Sequence, residues 1–175
     1  GRVSQYNDWE TKRLQIAIGL QIEEFLATAR RLHVPVRHMK PHGALYHDME
    51  AHQKVRDGIL DLAESHRLTV IGPAGGATQK RASERGADFR AECFADRRYQ
   101  PDGQLVPRSK NGSVLGVEAA MEQAESLLEG YVTACDATRI PLRATTMCVH
   151  GDTPEAVEMV RRLRRLLGDR TSVAL

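Results

Sequence analysis

The fold is decided by residues 68–94, which read LTVIGPAGGATQKRASERGADFRAECF. The short apolar run at residues 68–71 predicts a strand, and residues 89–94 predict a second one. Between them, the pattern from about residue 78 to residue 84 indicates a helix that ends at Gly86. A strand, a helix and a second strand joined by short links are typical of a parallel β-sheet.

The same alternation of helix and strand continues on both sides of this stretch. Further helices are predicted at residues 9–32, about 49–65, about 114–137, and from Thr153-Pro154 to Gly168, with Thr153 as the N-cap. Further strands are predicted at residues 34–38, 145–149 and 171–175, and a hairpin turn at Asp102-Gly103. We therefore predict an α/β chain with parallel strands that forms one domain over residues 1–175.

Composition and charge narrow the class of protein. Of the 175 residues, 41% are hydrophobic and 27% are charged, and the net charge of +2 argues against a nucleic-acid-binding surface. The basic run RRLRR at residues 161–165 is interpreted as a solvated helix face. No apolar run is long enough for a membrane span and no signal peptide is recognised. Three separated cysteines without a CxxC pair suit a reducing compartment, so we expect a cytoplasmic protein.

Polar residues cluster where four of the predicted strands end. These clusters are Lys40 with His42, the glycine-rich segment 72–76, Asp96 with Arg97, and His150 with Asp152. Functional sites in parallel α/β proteins gather at the carboxyl ends of strands. The coincidence of four clusters is the strongest indication of a functional site that the residues give.

The first cluster lies in HMKPHGALYH, residues 38–47. Pro41 fixes the backbone φ angle and Gly43 permits a sharp turn, which could present Lys40 and His42 to a pocket. A lysine can hold an anion or polarise a carbonyl group, and a histidine can transfer a proton near neutral pH. A turn with exposed polar residues is the alternative interpretation.

His150-Gly151-Asp152 follows an apolar strand. The two side chains could form an acid–base pair, whereas metal binding is disfavoured because no third ligand stands at a recognisable spacing. The alternative is a helix N-terminus capped by Asp152 or Thr153, with His150 as a packed neighbour.

Asp96 and Arg97 end another strand with opposite charges. Arg97, with Arg108 as a second candidate, could clamp a carboxylate or a phosphate. The alternative is an ion pair between Asp96 and Arg97 that shapes the following loop.

Three glycines, Gly72, Gly75 and Gly76, precede a predicted helix. Backbone amides at a helix N-terminus can cradle an anion such as a phosphate. The Gly-Lys-Ser/Thr of a Walker A motif does not follow, so a plain strand-to-helix turn is the competing interpretation.

Three segments together resemble the LamB/YcsF family of lactam-utilisation proteins. They are KPHGALY at residues 40–46, FADRRY with DGQLVPR at 94–108, and CVHGDTPEAV at 148–157, and the similarity extends over about residues 9–168. The resemblance implies a distorted (β/α) barrel of the glycoside hydrolase/deacetylase type, of which this chain would form about the C-terminal two-thirds. The family's N-terminal segment, with its Asn-x-Asp-x-Gly-Glu motif, is not in this sequence. We therefore expect an incomplete barrel that associates with itself or with a missing piece.

The resemblance also implies a reaction, that of ATP-dependent 5-oxoprolinase. In that enzyme a protein of this family works with two partner subunits, B and C, to open the lactam ring of 5-oxo-L-proline. The reaction consumes ATP and water and forms L-glutamate, ADP and phosphate. A divalent cation such as Mg²⁺ would accompany the ATP. A five-membered lactam is a stable amide, so phosphorylation of its oxygen would give water a better electrophile.

The motifs imply roles for individual residues. Catalytic roles fall to Lys40, His42, His150 and Asp152. Substrate-binding roles fall to Tyr46, Asp96, Arg97 and Arg108. Outside these motifs, the glycine-rich turn makes Gly72, Gly75 and Gly76 candidates for ATP contacts, while ATP binding on a partner subunit or between subunits stays open.

Four of these roles are specific enough to test against geometry. Lys40 would bind the lactam oxygen or a phosphate, and the histidines would transfer protons. Asp152 would orient His150 or activate water. Asp96 would fix the direction of Arg97, which would hold the substrate carboxylate.

Two other functions stay open. The implied fold alone suggests a metal-dependent, deacetylase-like hydrolase acting on carbohydrate, although a fold does not determine a function. The other is a non-catalytic subunit whose polar clusters dock partners.

Overall fold

The structure is a computed structural model that describes residues 8–168. The chain forms two compact units, Gly1–Ala91 and Glu92–Leu175. The predicted strand at 171–175 lies outside the described residues, and the prediction of one domain stays a prediction.

The first unit alternates helices with parallel strands. Its elements are α1 (Asp8–Arg31), β1 (His38–Met39), α2 (Ala44–Ala51), α3 (Gln53–His66), β2 (Thr69–Pro73), α4 (Ala77–Arg85) and the start of β3 (Phe89–Phe94). Strand β1 pairs in parallel with β2, and the Val70 N–H donates to the Asp88 carbonyl at 3.0 Å, just before β3 begins. The core side chains include Met49, Ile59, Leu60 and Val70.

The second unit is built on the end of β3. Its further elements are α5 (Val117–Leu128), β4 (Tyr131–Thr133), β5 (Arg139–Pro141), β6 (Thr146–Cys148) and α6 (Ala156–Leu167). Strands β3 and β6 are parallel, with Phe94 opposite Cys148, whereas β4 and β5 form an antiparallel pair. Helices α5 and α6 enclose a small apolar core that includes Met121, Met159 and Leu163.

The predicted α/β class, with parallel strands alternating with helices, is confirmed. The hairpin turn at Asp102-Gly103 is also confirmed, because Gly103 has a φ of 81° and Tyr99 bridges Leu105 in antiparallel fashion. The helix that ends at Gly86 is confirmed too, since Gly86 adopts the left-handed conformation at its C-cap.

Three boundaries differ from the predictions. The strand predicted at 34–38 is only His38–Met39, because Pro35 has no N–H to give to a ladder. The helix predicted at about 49–65 is two helices, broken at His52, whose backbone is extended with φ −120° and ψ 114°. The helix predicted at about 114–137 ends at Leu128, and Gly130, with a φ of 89°, turns the chain into the β4–β5 hairpin.

The predicted N-cap of the last helix is also wrong. The helix begins at Ala156 with Glu155 as its N-cap, and no side chain caps it. The Thr153 hydroxyl is buried without a hydrogen-bond partner, while the Thr153 carbonyl accepts the Ala156 N–H at 3.1 Å. Thr153 and Pro154 therefore form a turn that precedes the helix.

Within residues 8–168, no helix combines the length and the apolar character that crossing a membrane requires.

Candidate functional site

A buried aspartate and a histidine meet at the carboxyl ends of β3 and β6. The Asp96 side chain is fully buried, and its carboxylate accepts the His150 backbone N–H at 2.9 Å. The His150 ring nitrogen Nδ1 lies 3.0 Å from the same oxygen and 3.2 Å from the other. Because Phe94 is opposite Cys148, the parallel register brings the residues two positions further along to the same edge.

The Asp96 carboxylate determines which ring nitrogen of His150 faces a hydrogen-bond acceptor. Burial would raise the pKa of the Asp96 carboxyl, but the hydrogen bonds from His150 outweigh it, and the pKa lies below its ordinary value. An ionised Asp96 accepts a proton-bearing Nδ1, so Nε2 is the ring nitrogen left for chemistry. The ring of Phe94 stacks against His150 with centroids 5.6 Å apart, which restricts the orientation of the imidazole.

The second acidic residue of this region has a different partner. Both guanidinium NH₂ groups of Arg108 donate to the Asp152 carboxylate. The hydrogen bond from Arg108 lowers the pKa of Asp152, and burial is a smaller opposing effect. The predicted orientation of His150 by Asp152 is therefore wrong, because Asp96 does this and Asp152 is held by Arg108.

Arg97 also differs from its predicted setting. Its guanidinium is buried and donates to the backbone carbonyls of Val106, at 2.7 Å, and Ser113, at 3.3 Å. The predicted fixing of Arg97 by Asp96 is wrong, since Asp96 is paired with His150. Burial lowers the pKa of Arg97, and its donors organise the loop that carries Arg108. Arg108 is the more exposed of the two arginines, and Asp152 holds both of its NH₂ groups.

Sequence reasoning missed Gln123. Its side-chain nitrogen lies 2.8 Å from the Phe94 carbonyl, 3.1 Å from that of Ala95 and 2.8 Å from that of Arg97. One amide from α5 therefore holds the turn that carries Asp96. The available signal was a polar residue on the face of α5 that otherwise carries Ala120, Ala124 and Leu127, all of them buried.

We expect Gln123→Met to destabilise the second unit. The substitution keeps the length of the side chain but removes the donor from three carbonyls, so the free energy of unfolding should fall by about 1–3 kcal/mol. Chemical denaturation measures this, with Gln21→Met as the matched control because Gln21 is exposed and donates only within α1. Equal losses for the two variants would show that the Gln123 contacts contribute nothing particular.

The other predicted cluster lies in the first unit. Gly43, with a φ of 58°, is the N-cap of α2, so Tyr46 stands on a helix and is buried. The Lys40 ammonium lies 5.7 Å from the centre of the Tyr46 ring, within the range of a cation–π contact. His42 is exposed, whereas Lys40 is half-buried, so the structure brings Lys40 and Tyr46 together and leaves His42 at the surface.

The glycine-rich segment already holds an anion from within the chain. The Glu50 carboxylate accepts the N–H of Ala77 at 2.6 Å and that of Thr78 at 3.2 Å, at the N-terminus of α4. The Gly75 N–H donates to the Gln79 side chain at 2.7 Å, and the Gly76 N–H to the Pro73 carbonyl at 3.3 Å. These amides are satisfied without a phosphate.

Packing explains the glycines at positions 72 and 76, and a positive φ of 74° explains Gly75. A Cβ at Gly72 would lie 2.9 Å from Met49 and 3.0 Å from Phe89, and a Cβ at Gly76 would collide with the Glu50 carboxylate. The predicted ATP contacts of Gly72, Gly75 and Gly76 therefore lack geometric support. The competing interpretation, a strand-to-helix turn, fits these contacts.

We expect Glu50→Gln to weaken α4. The change keeps the shape but removes the negative charge from a helix N-terminus, which should lower the free energy of unfolding by about 0.5–2 kcal/mol. Urea denaturation tests this against Glu122→Gln, since Glu122 is exposed in the middle of α5, away from either end of that helix. An unchanged midpoint for Glu50→Gln would show that the carboxylate does not stabilise the helix.

No group of three or more histidine, cysteine, aspartate or glutamate side chains is arranged to hold a metal ion in the part of the chain that the structure describes.

The fold is that of an α/β protein in which a buried aspartate is paired with a histidine at strand carboxyl ends. The LamB/YcsF family profile matches residues 4–174, and the chain belongs to this family. It is 42% identical over 135 residues to the 5-oxoprolinase A subunit of Nocardia farcinica, covering 75% of this chain and 54% of that protein. It is 41% identical over 155 residues to the 5-oxoprolinase A subunit of Pyrococcus furiosus, covering 84% and 59%.

A solved structure is similar as well. The lactam utilization protein from Thermus thermophilus matches with a TM-score of 0.81 and 30% sequence identity, over 90% of this chain and 66% of that one. The chain thus spans about half to two-thirds of the length of the proteins that it matches.

Proposed function

We propose that this chain is part of the A subunit of an ATP-dependent 5-oxoprolinase, which hydrolyses the lactam of 5-oxo-L-proline to L-glutamate. The observation that supports it most is the similarity, over three-quarters or more of the chain, to relatives that carry the name of the 5-oxoprolinase A subunit. The name of these relatives also motivates the proposal that the chain acts together with other subunits, B and C.

In this proposal, His150 is the general base of the ring-opening step. Asp96 holds the proton on Nδ1, so Nε2 can accept a proton from the water that attacks the lactam carbonyl. The imidazolium that forms lies against the Asp96 carboxylate, which stabilises it. His150 then gives this proton to the lactam nitrogen of the substrate as the lactam C–N bond breaks.

Binding of the substrate falls to cationic groups. Arg108, held in a fixed direction by Asp152, presents a guanidinium near the Asp96–His150 pair, where it suits the carboxylate of 5-oxoproline. In the first unit, Lys40 beside Tyr46 is proposed to bind the lactam oxygen or a phosphate, with His42 as a further proton-transfer group. ATP, accompanied by Mg²⁺, would supply the phosphoryl group that activates the lactam oxygen and would leave as ADP. Ring opening by the first water would then give an acyl phosphate, and a second water would release phosphate and L-glutamate from it.

The two alternative functions have less support. The metal-dependent deacetylase has no supporting arrangement of ligands in residues 8–168. The non-catalytic alternative does not account for a buried aspartate committed to a histidine ring, because burying a carboxylate is unfavourable unless it is paired.

A chimera tests the proposal. The chain replaces the matched part of the A subunit from Nocardia farcinica, and the chimera is mixed with the B and C subunits of that organism. Glutamate release from 5-oxoproline is measured with and without ATP, with the unaltered relative as the positive control. We expect ATP-dependent release by the chimera. Release by the relative but not by a correctly folded chimera would contradict the proposed function.

A further inference from the structure

Helix α1 carries a largely exposed seam that borders its packing against α3. The seam consists of Arg13, Ile16, Leu20 and Glu23, and Ile16 and Leu20 are 57% and 66% exposed. At 3.6 residues per turn, the seam is centred nearly opposite the buried residues Ile18 and Ala29. Packing within the chain therefore does not explain the two apolar side chains.

The spacing of the seam is that of a coiled coil. Its four positions are separated by three, four and three residues, which is the spacing of heptad positions a and d. Along the helix the chemistry reads basic, apolar, apolar, acidic. When a second copy of the helix runs antiparallel and the two helices cross at residue 18, each position of the seam therefore faces a position of matching chemistry. Ile16 then faces Leu20 of the other helix, and Arg13 faces Glu23.

A groove beside the seam offers space for an incoming side chain. It has a volume of about 530 Å³, lies between α1 and α3, and is lined by Ile16, Leu20 and Leu62 together with Gly19 and Gly58. The two glycines let α1 and α3 approach closely at its floor, where the Gln15 side chain covers Gly58. At its end, the Glu23 carboxylate of the seam lies 2.9 Å from His66 Nε2, which ties this acid to α3.

We propose that the seam on α1 is the interface of a homodimer, in which two copies of this chain pair their α1 helices antiparallel about a two-fold axis. The self-complementary order of charge favours a second copy over an unrelated partner, since each charged position finds its opposite by symmetry. The proposal does not depend on the proposed function, because neither Ile16 nor Leu20 belongs to the candidate site.

Sedimentation equilibrium of the chain tests for the dimer. Leu20→Glu should raise the dimer dissociation constant by about a hundredfold, because both symmetric contacts with Ile16 are lost and a carboxylate is placed against each isoleucine. Phe25→Glu is the matched control, since Phe25 is 64% exposed on α1 but lies on the opposite side from the seam. It should leave the constant unchanged. Circular dichroism establishes that each variant is folded.

A charge exchange tests the direction of pairing. Arg13→Glu alone, which puts a carboxylate opposite Glu23 in both symmetric contacts, should weaken the dimer by about tenfold. The double variant R13E/E23R restores opposite charges only if the helices run antiparallel in the stated register, so it should regain most of the affinity.

Several results would overturn the proposal. A monomer at all concentrations would do so, as would a dimer that Leu20→Glu leaves intact, because the interface would then lie elsewhere. Failure of the double variant to recover affinity would exclude the antiparallel register. A chain that is monomeric alone but has α1 protected from hydrogen exchange by the B or C subunit would assign the seam to that partner instead.

Discussion

Replacing His150 by alanine is expected to reduce glutamate release by the assembled 5-oxoprolinase by about 10²–10⁴-fold, the usual contribution of a positioned acid–base group. The reason is the geometry of the pair, in which Asp96 fixes the proton on Nδ1 and leaves Nε2 to act on water. The loss should fall on kcat more than on KM, because a base that moves a proton in the transition state adds little to substrate binding. Steady-state kinetics of the chimera measures both.

His33→Asn is the matched control for this variant. His33 is exposed and has a φ of 56°, a conformation that asparagine tolerates, so the change removes an imidazole without straining the backbone. It should leave kcat and KM as they are. Activity of His150→Ala at the level of this control, in a folded protein, would remove His150 from the catalytic step.

Asp96→Asn is expected to affect both activity and stability. An amide at this position cannot stabilise the imidazolium and can donate a proton towards Nδ1, which disturbs the tautomer, so kcat should fall by about 10²–10⁴-fold. The charge-assisted hydrogen bonds to the His150 backbone and ring are weakened, which should lower the free energy of unfolding by about 1–3 kcal/mol. Asp102→Asn is the control, because Asp102 lies exposed in the hairpin turn.

The pH dependence of stability follows from the lowered pKa of Asp96. A carboxyl whose pKa is lower in the folded than in the unfolded protein stabilises the fold fully above its ordinary pKa of 3.8. That contribution is lost as the pH falls from 3.8 through the lowered folded value. The difference in unfolding free energy between wild type and Asp96→Asn should therefore shrink on acidification over that range. A difference independent of pH would show that the Asp96 charge does not stabilise the fold.

Several features of the fold could be predicted from local pattern. Residues 68–94 contain two short apolar runs around a helical pattern that ends at Gly86, and the structure has β2, α4 and β3 there. Gly86 correctly predicted the end of α4, because a C-cap residue in the left-handed conformation is favourable for glycine whatever the tertiary contacts are. The β4–β5 hairpin was missed because residues 114–137 also suit a helix, and only the turn at Gly130 ends it.

The sequence identified residues of the candidate site but not which of them pair with each other. Asp96, His150 and Asp152 were identified because polar residues at strand carboxyl ends gather at one edge of a parallel sheet, and Arg108 was identified as a second arginine in the following loop. Their partners were assigned from neighbours in sequence, which joined Asp96 to Arg97 and Asp152 to His150. The structure joins Asp96 to His150 and Asp152 to Arg108.

The sequence by itself therefore determined the α/β class, the order of most elements and the chemical types present at the strand ends, because these depend on periodicity and on local backbone preferences. Only the tertiary structure decided which groups act together. The register of β3 and β6 sets Asp96 beside His150. The packing of α5 brings Gln123 to the turn after β3 that carries Asp96. Both depend on contacts between residues about 25–55 positions apart, whose pairing no local pattern encodes.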